Sequence, residues 1–307
     1  MPFTSEYLEK LLVQALPLVV QAGEIILEQS CGPLRINYKG PTNLVTQTDW
    51  AVEDFLRQAL GRLTPDIAFL GEEETEAAFT VEPAVNLGEP LWVVDPVDGT
   101  VNYAHGLPFV ATSAGLWDGQ GMALGIINCP FLGECYFAVR GAGAYLGLLR
   151  QGRGKISPKP GGQLGESSQS RFSKMFADLF TAVSRLQVSE ACNLQETLLA
   201  TGFPYEPAPN LELIMRRLAL ALPATRGLRR CGAAAIDMAY VAAGHFDAYY
   251  EEWIKPWDVA AGWLLVEEAG GKVGDLQGEL RRLCSPGIIA AAPNIFTQLT
   301  RLLRQAE

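Results

Sequence analysis

Two aspartates at the end of an apolar run are the residues of this chain best placed to do chemistry. Residues 91–100 read LWVVDPVDGT, in which Asp95 and Asp98 follow the apolar stretch. The proline between them keeps the first aspartate out of the helical conformation, and Gly99 permits a tight turn. Because hard cations take oxygen ligands, two carboxylates on such a turn can hold Mg²⁺, although a strand followed by a polar turn with two solvated aspartates is the simpler interpretation. Thr100 and the amides after it are placed to open a helix, and because a helix N-terminus attracts phosphate, they predict a phosphate cradle beside the metal site.

Two further acidic segments are candidates for the same site. Residues 67–74 (IAFLGEEE) place three carboxylates directly after a predicted strand and a glycine. Residues 255–271 (KPWDVAAGWLLVEEAGG) predict a helix that begins at the proline and ends at the glycine pair, with Asp258 in its first turn. Each segment has a simpler interpretation, either an acidic surface loop or a carboxylate that stabilises a helix start through the helix dipole.

Taken together, these segments resemble the signature segments of the inositol monophosphatase family of Mg²⁺-dependent, lithium-sensitive phosphatases. The resemblance extends to residues 39–49 (KGPTNLVTQTD), 200–205 (ATGFPY) and 232–240 (GAAAIDMAY). It covers almost the whole chain except residues 151–185. Several spaced motifs in the same order make a chance agreement very improbable, although only the aspartate turn and the tryptophan–aspartate helix are specific by themselves.

The resemblance implies a cluster of two to three Mg²⁺ ions. Glu72, Asp95 and the carbonyl group of Val97 are expected to hold one ion. Asp95 is expected to bridge to a second ion, which Asp98 and Asp258 also hold. Two adjacent metal ions stabilise both the attacking and the leaving oxygen of an in-line displacement at phosphorus.

Catalytic roles follow from the same resemblance. Thr100, hydrogen-bonded to Asp49, is expected to orient or deprotonate the attacking water, with Glu72 as the third member of the catalytic set. Glu73 is expected to act from behind the metal ligands or through water on a further Mg²⁺. The amides of Gly99 and Thr100 are expected to hold phosphate oxygens.

Substrate contacts are also implied by position. Glu251, seven residues before Asp258, matches the family position that accepts hydrogen bonds from inositol hydroxyl groups. Because Glu252 is the next residue, the sequence leaves open which of the two glutamates occupies that position. The simpler interpretation of Glu251 is an exposed carboxylate at the end of a strand. Asp98 and Asp258 are expected to contact substrate as well, and Ala234 to approach the sugar ring through its backbone.

The expected substrate is a small polyol or sugar phosphate, first of all myo-inositol 1-phosphate. Residues 101–103 (VNY) resemble the inositol type, and the lysine that nucleotide-type members carry after the threonine is missing. The alternative substrates are fructose 1,6-bisphosphate, histidinol phosphate, 3′-phosphoadenosine 5′-phosphate and NADP. The alternative function is that of a regulatory binding protein with weak catalysis. Trp253 is bulkier than expected and predicts a narrowed pocket. Lys39 either contacts the cleft or is a solvated surface residue.

Composition excludes several other classes of protein. The chain has 307 residues, 49% of them hydrophobic, and a formal net charge of -10, which disfavours nucleic-acid binding. Six scattered cysteines without a C-x-x-C pair indicate reduced thiols in a cytoplasmic protein. We expect no transmembrane helix, since an apolar run of about 18 residues is not evident, and no signal peptide. The family resemblance suggests a homodimer.

The coarse pattern alternates helices with strands and predicts a layered α/β domain. The resemblance sharpens this to an α-β-α-β-α sandwich forming one catalytic domain, residues 1–307, with sub-lobes at about 1–150 and 186–307. Predicted helices cover 6–29 (with Pro17 as a kink or a new start), 48–61 (capped by Thr48 and ended by Gly61), 193–200, 210–222, 233–243 and 257–269. Predicted strands cover 67–70, 91–94, 110–117, 122–128, 134–139, 246–251 and 287–292.

Residues 151–185 are predicted to be an insertion with two parts. Residues 151–170 are rich in Gly, Ser, Pro and Gln, which favours a mobile loop. The apolar residues between 172 and 183 recur at helical spacing, which predicts an amphipathic helix. That helix either packs on the protein's own surface or docks to a partner, a second subunit or a membrane face.

Overall fold

A computed structural model describes residues 3–40, 43–77, 86–150 and 171–307. The predicted mobile loop, residues 151–170, lies outside these described residues. The α-helices in the described part are α1 (Ser5–Gln29), α2 (Gln47–Leu63), α3 (Glu72–Ala77), α4 (Thr100–Ala104), α5 (Arg171–Met175), α6 (Leu211–Ala224), α7 (Ala234–Ala242), α8 (Pro256–Glu268) and α9 (Pro293–Leu303).

The strands form three sheets. The strands in the described part are β1 (Ile36–Tyr38), β2 (Leu44–Thr46), β3 (Ala68–Gly71), β4 (Leu91–Asp98), β5 (Ala111–Trp117), β6 (Met122–Cys129), β7 (Glu134–Val139), β8 (Gly143–Leu149), β9 (Phe180–Arg185), β10 (Leu198–Thr201), β11 (Gly227–Arg229), β12 (Ala248–Glu252), β13 (Lys272–Gly274) and β14 (Gly287–Ala291). A seven-stranded sheet runs β3-β4-β5-β6-β7-β8-β9, a five-stranded sheet runs β11-β10-β12-β14-β13, and β1 pairs with β2.

Five layers stack in the order α-β-α-β-α, which confirms the predicted fold class. Helices α1 and α2 pack on one face of the seven-stranded sheet. Helices α7 and α8 lie between its other face and the five-stranded sheet, and α6 and α9 cover the outer face of that second sheet. Strand β4 shows how both faces are buried: Trp92 and Val94 join the core under α1 and α2, while Leu91 and Val93 join the core around α8.

Helix α1 meets the length and composition of a membrane span, so the expectation that no such apolar run exists is wrong. It has 25 residues and a mean hydropathy of 1.6 over its most apolar window. In the structure, Leu12, Leu16 and Val19 are fully buried against α2 and the seven-stranded sheet. Its apolar face is therefore accounted for by packing within the domain. The helix also continues through Pro17 without starting a second helix there.

Several predicted boundaries need correction. Thr46, and not Thr48, caps α2, because the Thr46 hydroxyl accepts the backbone N–H of Thr48 while Asp49 reaches back to Thr46. The helix runs past Gly61 to Leu63. The helix predicted at 193–200 is wrong: a short 3₁₀ turn leads into β10, which pairs in parallel with β11 and β12. Strand β8 was not predicted.

The amphipathic helix predicted between 172 and 183 is also wrong. Helix α5 ends at Met175, and strand β9 begins at Phe180. Phe172, Phe176 and Phe180 are buried, with ring centroids 5.7, 5.7 and 6.0 Å from that of Phe137 in β7. The helical spacing arose because one helical turn, a tight turn and a strand start each supply one phenylalanine to the same aromatic cluster. The segment packs on the protein's own sheet, so these rings are not available as a docking face.

Candidate metal and phosphate site

A cavity of about 510 Å³ opens where β4, α7, α8 and the end of β12 meet. It brings together most of the residues that the sequence singled out. The predicted site residues that line it are Glu72, Asp95, Val97, Asp98, Gly99, Thr100, Ala234, Glu251 and Asp258. The predicted residues Asp49 and Glu73 stand behind this wall, each about 1% exposed.

A β-bulge directs both aspartates of the first motif into the cavity. In a regular strand, residues three positions apart point to opposite faces. Asp95 pairs with Ser113 and Asp98 pairs with Ala111, so β4 carries one extra residue against β5. Strand β4 therefore continues through Asp98 and does not end at residue 94 as predicted. The turn that follows uses Gly99 at φ 89°, where a Cβ would lie 2.6 Å from the carbonyl oxygen of Phe109.

Asp98 joins the two halves of the site. Its carboxylate accepts the backbone N–H groups of Ala234 at 3.2 Å and Ala235 at 2.7 Å, at the start of α7. Asp258 lies in the first turn of α8, as predicted, and accepts the N–H of Lys255 at 2.9 Å. The simpler interpretation of Asp258 as a helix-start carboxylate is thus also correct. One of its oxygens accepts a backbone N–H at the start of α8, and the residue also lines the cavity.

A buried glutamate that the sequence analysis missed holds the acidic turn. Glu53 of α2 is 4% exposed and accepts the backbone N–H groups of Glu73 at 2.8 Å and Glu74 at 3.0 Å. Its carboxylate packs against Gly71, where any side chain would overlap it. Arg57 balances its charge at 2.9 Å. The sequence signal that could have identified Glu53 is its position on the buried face of a predicted helix. Only the fold shows which backbone N–H groups it accepts.

Lys39 reaches the cleft, which decides between the two interpretations of this residue. Its ammonium lies 3.2 Å from the Glu72 carboxylate and 2.8 Å from that of Glu73, and its side chain is 16% exposed. Among the residues that the structure describes, no three acidic, histidine or cysteine side chains already converge to hold one metal ion. The carboxylates are instead engaged by Lys39 and by backbone N–H groups.

The electrostatics of the cavity nevertheless fit divalent cations. Burial and the nearby charge of Glu72 raise the pKa of Asp95 and of Asp258 well above the usual range. Burial raises the pKa of Asp98 to about 7, although backbone N–H groups oppose that shift. Four carboxylates that share one cavity destabilise one another when ionised, and a hard cation with oxygen ligands removes that penalty. Glu72, Asp95, Asp98, Asp258 and the Val97 carbonyl group are therefore a suitable donor set.

Asp49 and Thr100 form the predicted pair behind the metal ligands. Thr46 donates to one Asp49 oxygen from its backbone N–H at 2.9 Å and from its hydroxyl at 2.5 Å. The other Asp49 oxygen lies 3.0 Å from the Thr100 hydroxyl, which is also 3.0 Å from the Val97 carbonyl oxygen. Burial raises the pKa of Asp49. The pair connects the acidic cavity to a buried proton acceptor.

The register of the two glutamates in β12 is settled by the structure. Glu251 lines the cavity, accepts the Tyr249 hydroxyl and packs on Gly202, which has no room for a side chain. Glu252 points the other way and pairs with the buried Arg217 of α6. Glu251 is therefore the carboxylate that faces the space beside the aspartates.

Sequence comparison agrees with this geometry. The model of the inositol monophosphatase family matches residues 7–307. The chain belongs to this family. It is 30% identical to inositol-1-monophosphatase of Caulobacter vibrioides over 89% of this chain and 92% of the relative. It is also 33% identical to Nus factor SuhB of Pseudomonas aeruginosa, over 93% of this chain and 92% of that protein.

Structure comparison gives the same result. The solved inositol monophosphatase of Anabaena (Nostoc) sp. PCC 7120 aligns with a TM-score of 0.75 and 28% identity. The alignment covers 97% of each of the two chains. The two comparisons therefore establish the fold and the family of this chain.

Proposed function

We propose that this protein is a Mg²⁺-dependent phosphomonoesterase that hydrolyses a small polyol or sugar phosphate, first of all myo-inositol 1-phosphate. The observation that carries the proposal is the single cavity that holds Glu72, Asp95, Asp98 and Asp258 beside Glu251. A phosphate ester is bound through cations at one end of such a cavity, and its hydroxyl groups are bound by a carboxylate at the other.

Mg²⁺, when bound by the four acidic side chains and the Val97 carbonyl group, offsets negative charge on the phosphoryl group and lowers the pKa of water. The chain's own residues supply position and proton transfer. The Thr100 hydroxyl accepts the proton of the attacking water while it donates its own to Asp49. The N–H groups of Gly99 and Thr100 orient the phosphoryl oxygens. Glu53 fixes the acidic turn through the N–H groups of Glu73 and Glu74, and Glu73 acts from behind the metal ligands or through water on a further ion.

Glu251 supports a polyol or sugar as the leaving group. Burial raises the pKa of Glu251 to about 7, and the Tyr249 hydroxyl opposes that shift. A half-buried carboxylate with one oxygen already bonded to Tyr249 is well suited to accept a hydroxyl group with the other. Ala234, whose N–H bonds Asp98, lets a ring approach the backbone closely.

Phosphate release from a panel of esters tests the proposal. The panel contains inositol 1-phosphate, fructose 1,6-bisphosphate, histidinol phosphate, 3′-phosphoadenosine 5′-phosphate and NADP, each with Mg²⁺, with EDTA and with added Li⁺. We expect Mg²⁺-dependent, Li⁺-inhibited turnover, fastest for inositol 1-phosphate. Asp98→Asn should abolish turnover with the fold intact, and Asp258→Asn should raise the Mg²⁺ requirement. Faster turnover of another ester would refute inositol 1-phosphate as the preferred substrate but would leave the proposed metal site intact.

Partner binding is a second candidate function, favoured by the similarity to Nus factor SuhB. Absence of phosphate release from every ester, with Mg²⁺ binding intact, would favour it. The cytoplasmic location, the homodimer and the division into sub-lobes at about 1–150 and 186–307 are part of the same proposal. Sedimentation of the purified protein tests the dimer.

A further inference from the structure

Trp253 has an unusual backbone conformation at the edge of the cavity. Its φ is 57°, and within the described ranges it is the one residue other than glycine with a positive φ. In this left-handed region Cβ approaches the backbone too closely, so a bulky side chain is disfavoured there. Strained residues of this kind persist where the surroundings fix them, and they concentrate at ligand sites.

Packing in the core does not account for the Trp253 indole. Trp253 belongs to neither hydrophobic core, whereas its neighbours Ile254 and Trp257 are buried in the core around α8. Among the described residues, the Trp253 ring makes no contact with another aromatic ring and its indole N–H makes no hydrogen bond. A side chain that is strained and yet contributes little to the core needs another explanation.

The residues before Trp253 hold it in place beside Glu251. Tyr249 and Gly202 fix the Glu251 side chain, and Arg217 fixes Glu252 on the opposite side of the strand. Trp253 lines both the main cavity and a small adjoining one that Arg217 also borders. It therefore forms part of the partition between the two cavities, next to the carboxylate that faces the leaving group.

We infer that Trp253 is a specificity-determining residue that offers an aromatic surface to the leaving group beside Glu251. This inference rests on the proposed function. Ligand sites commonly combine aromatic walls with a few placed polar groups. Trp253 and Glu251 together fit a leaving group that has both an apolar ring face and hydroxyl groups, as a cyclic polyol or a sugar does. An acyclic polyol has the hydroxyl groups but no such face.

Selectivity between a cyclic and an acyclic ester is the measurement that tests this role. Kinetics of wild type, Trp253→Ala and Trp253→Phe are compared on inositol 1-phosphate and on glycerol phosphate. For Trp253→Ala we expect kcat/KM on the cyclic ester to fall by about tenfold, mainly through KM, and to change by less than about twofold on the acyclic ester. Trp253→Phe, which keeps an aromatic ring, should restore most of the selectivity.

Two controls separate this role from damage to the fold or to the metal site. Glycine adopts a positive φ freely, so Trp253→Gly should unfold at about the wild-type temperature and still lose selectivity. Competitive inhibition by inorganic phosphate should be unchanged in all variants, because phosphate binds at the Gly99 end. Equal losses on both esters, or no loss on either, would overturn the role of Trp253. A wild type inactive on both esters would instead refute the proposed function, and this inference with it.

Discussion

The Thr100 hydroxyl lies 3.0 Å from the Asp49 carboxylate, although 51 residues separate the two in the chain. Asp49 is 1% exposed, and Thr46 already occupies its other oxygen. Burial raises the pKa of Asp49, which makes it a better proton acceptor than an exposed aspartate. The hydrogen bond therefore gives a proton a path from the cavity into the protein at the position where the proposed reaction needs one.

Thr100→Ala should lower kcat by about a hundredfold or more while KM changes little, because removing a general base typically costs that much. Thr100→Ser keeps the hydroxyl and should retain most of the activity. Steady-state kinetics at saturating Mg²⁺ make the comparison. A rise in KM with kcat unchanged would show that Thr100 binds substrate and does not relay the proton.

Glu53→Gln should raise the Mg²⁺ concentration needed for half-maximal activity by about 10- to 100-fold, the usual effect of losing a partner behind a metal ligand. The amide can accept one of the two N–H groups that Glu53 now accepts, but its own NH₂ group would face the other. Asp54→Asn is the matched control, since Asp54 is the next residue, exposed, and bonded only to Gln58 in the described part. Equal Mg²⁺ titrations of the two variants would refute a positioning role for Glu53.

The carboxylates that line the cavity were predictable as candidate site residues because each belongs to a short local motif. Asp95 and Asp98 flank a proline before a glycine, and Asp258 follows Pro256 at a helix start, so chain neighbours alone mark all three as candidate site residues. The prediction that these carboxylates converge in one cavity rested on the family resemblance. The bulge in β4, which turns both aspartates to one side, was not predicted, since it depends on how Ser113 and Ala111 pair across the sheet.

Other features could not be predicted, because they depend on contacts far along the chain. Residues 193–200 contain good helix formers, but pairing of β10 with β11 and β12 outweighs that local preference. Glu53 meets amides 20 and 21 residues away. The positive φ of Trp253 has no signal in sequence, since the residue type argues against it. Long-range contacts decide the first two of these features.

The metal-free protein should become less stable as the pH rises through neutrality. Burial and the charge of Glu72 raise the pKa of Glu73 to about 8, and burial raises that of Asp98 to about 7, from ordinary values of 4.5 and 3.8. The folded state therefore binds these protons more tightly than the unfolded state. Between the ordinary and the raised pKa values, the free energy of unfolding falls as the pH increases.

Thermal unfolding in EDTA should thus occur at a lower temperature at pH 8.5 than at pH 6. Added Mg²⁺ should raise the unfolding temperature most at pH 8.5, where the carboxylates are ionised. Asp98→Asn removes one titrating group and should flatten the dependence in EDTA. The same pH dependence with and without Mg²⁺ would mean that the ion does not bind at these carboxylates.

Phe176→Ala should reduce the free energy of unfolding by about 3–5 kcal/mol, the usual cost of truncating a buried phenylalanine. Phe176 is 3% exposed and contacts Phe137, Phe172 and Phe180, so its removal leaves a cavity in the aromatic cluster. Met175→Ala is the control, because Met175 lies in the same segment but is 44% exposed. We expect it to change the free energy of unfolding by no more than about 0.5 kcal/mol. Urea unfolding gives both values, and sedimentation gives the assembly state. If Met175→Ala dissociated an assembly while Phe176→Ala left stability unchanged, the segment would be a docking surface after all.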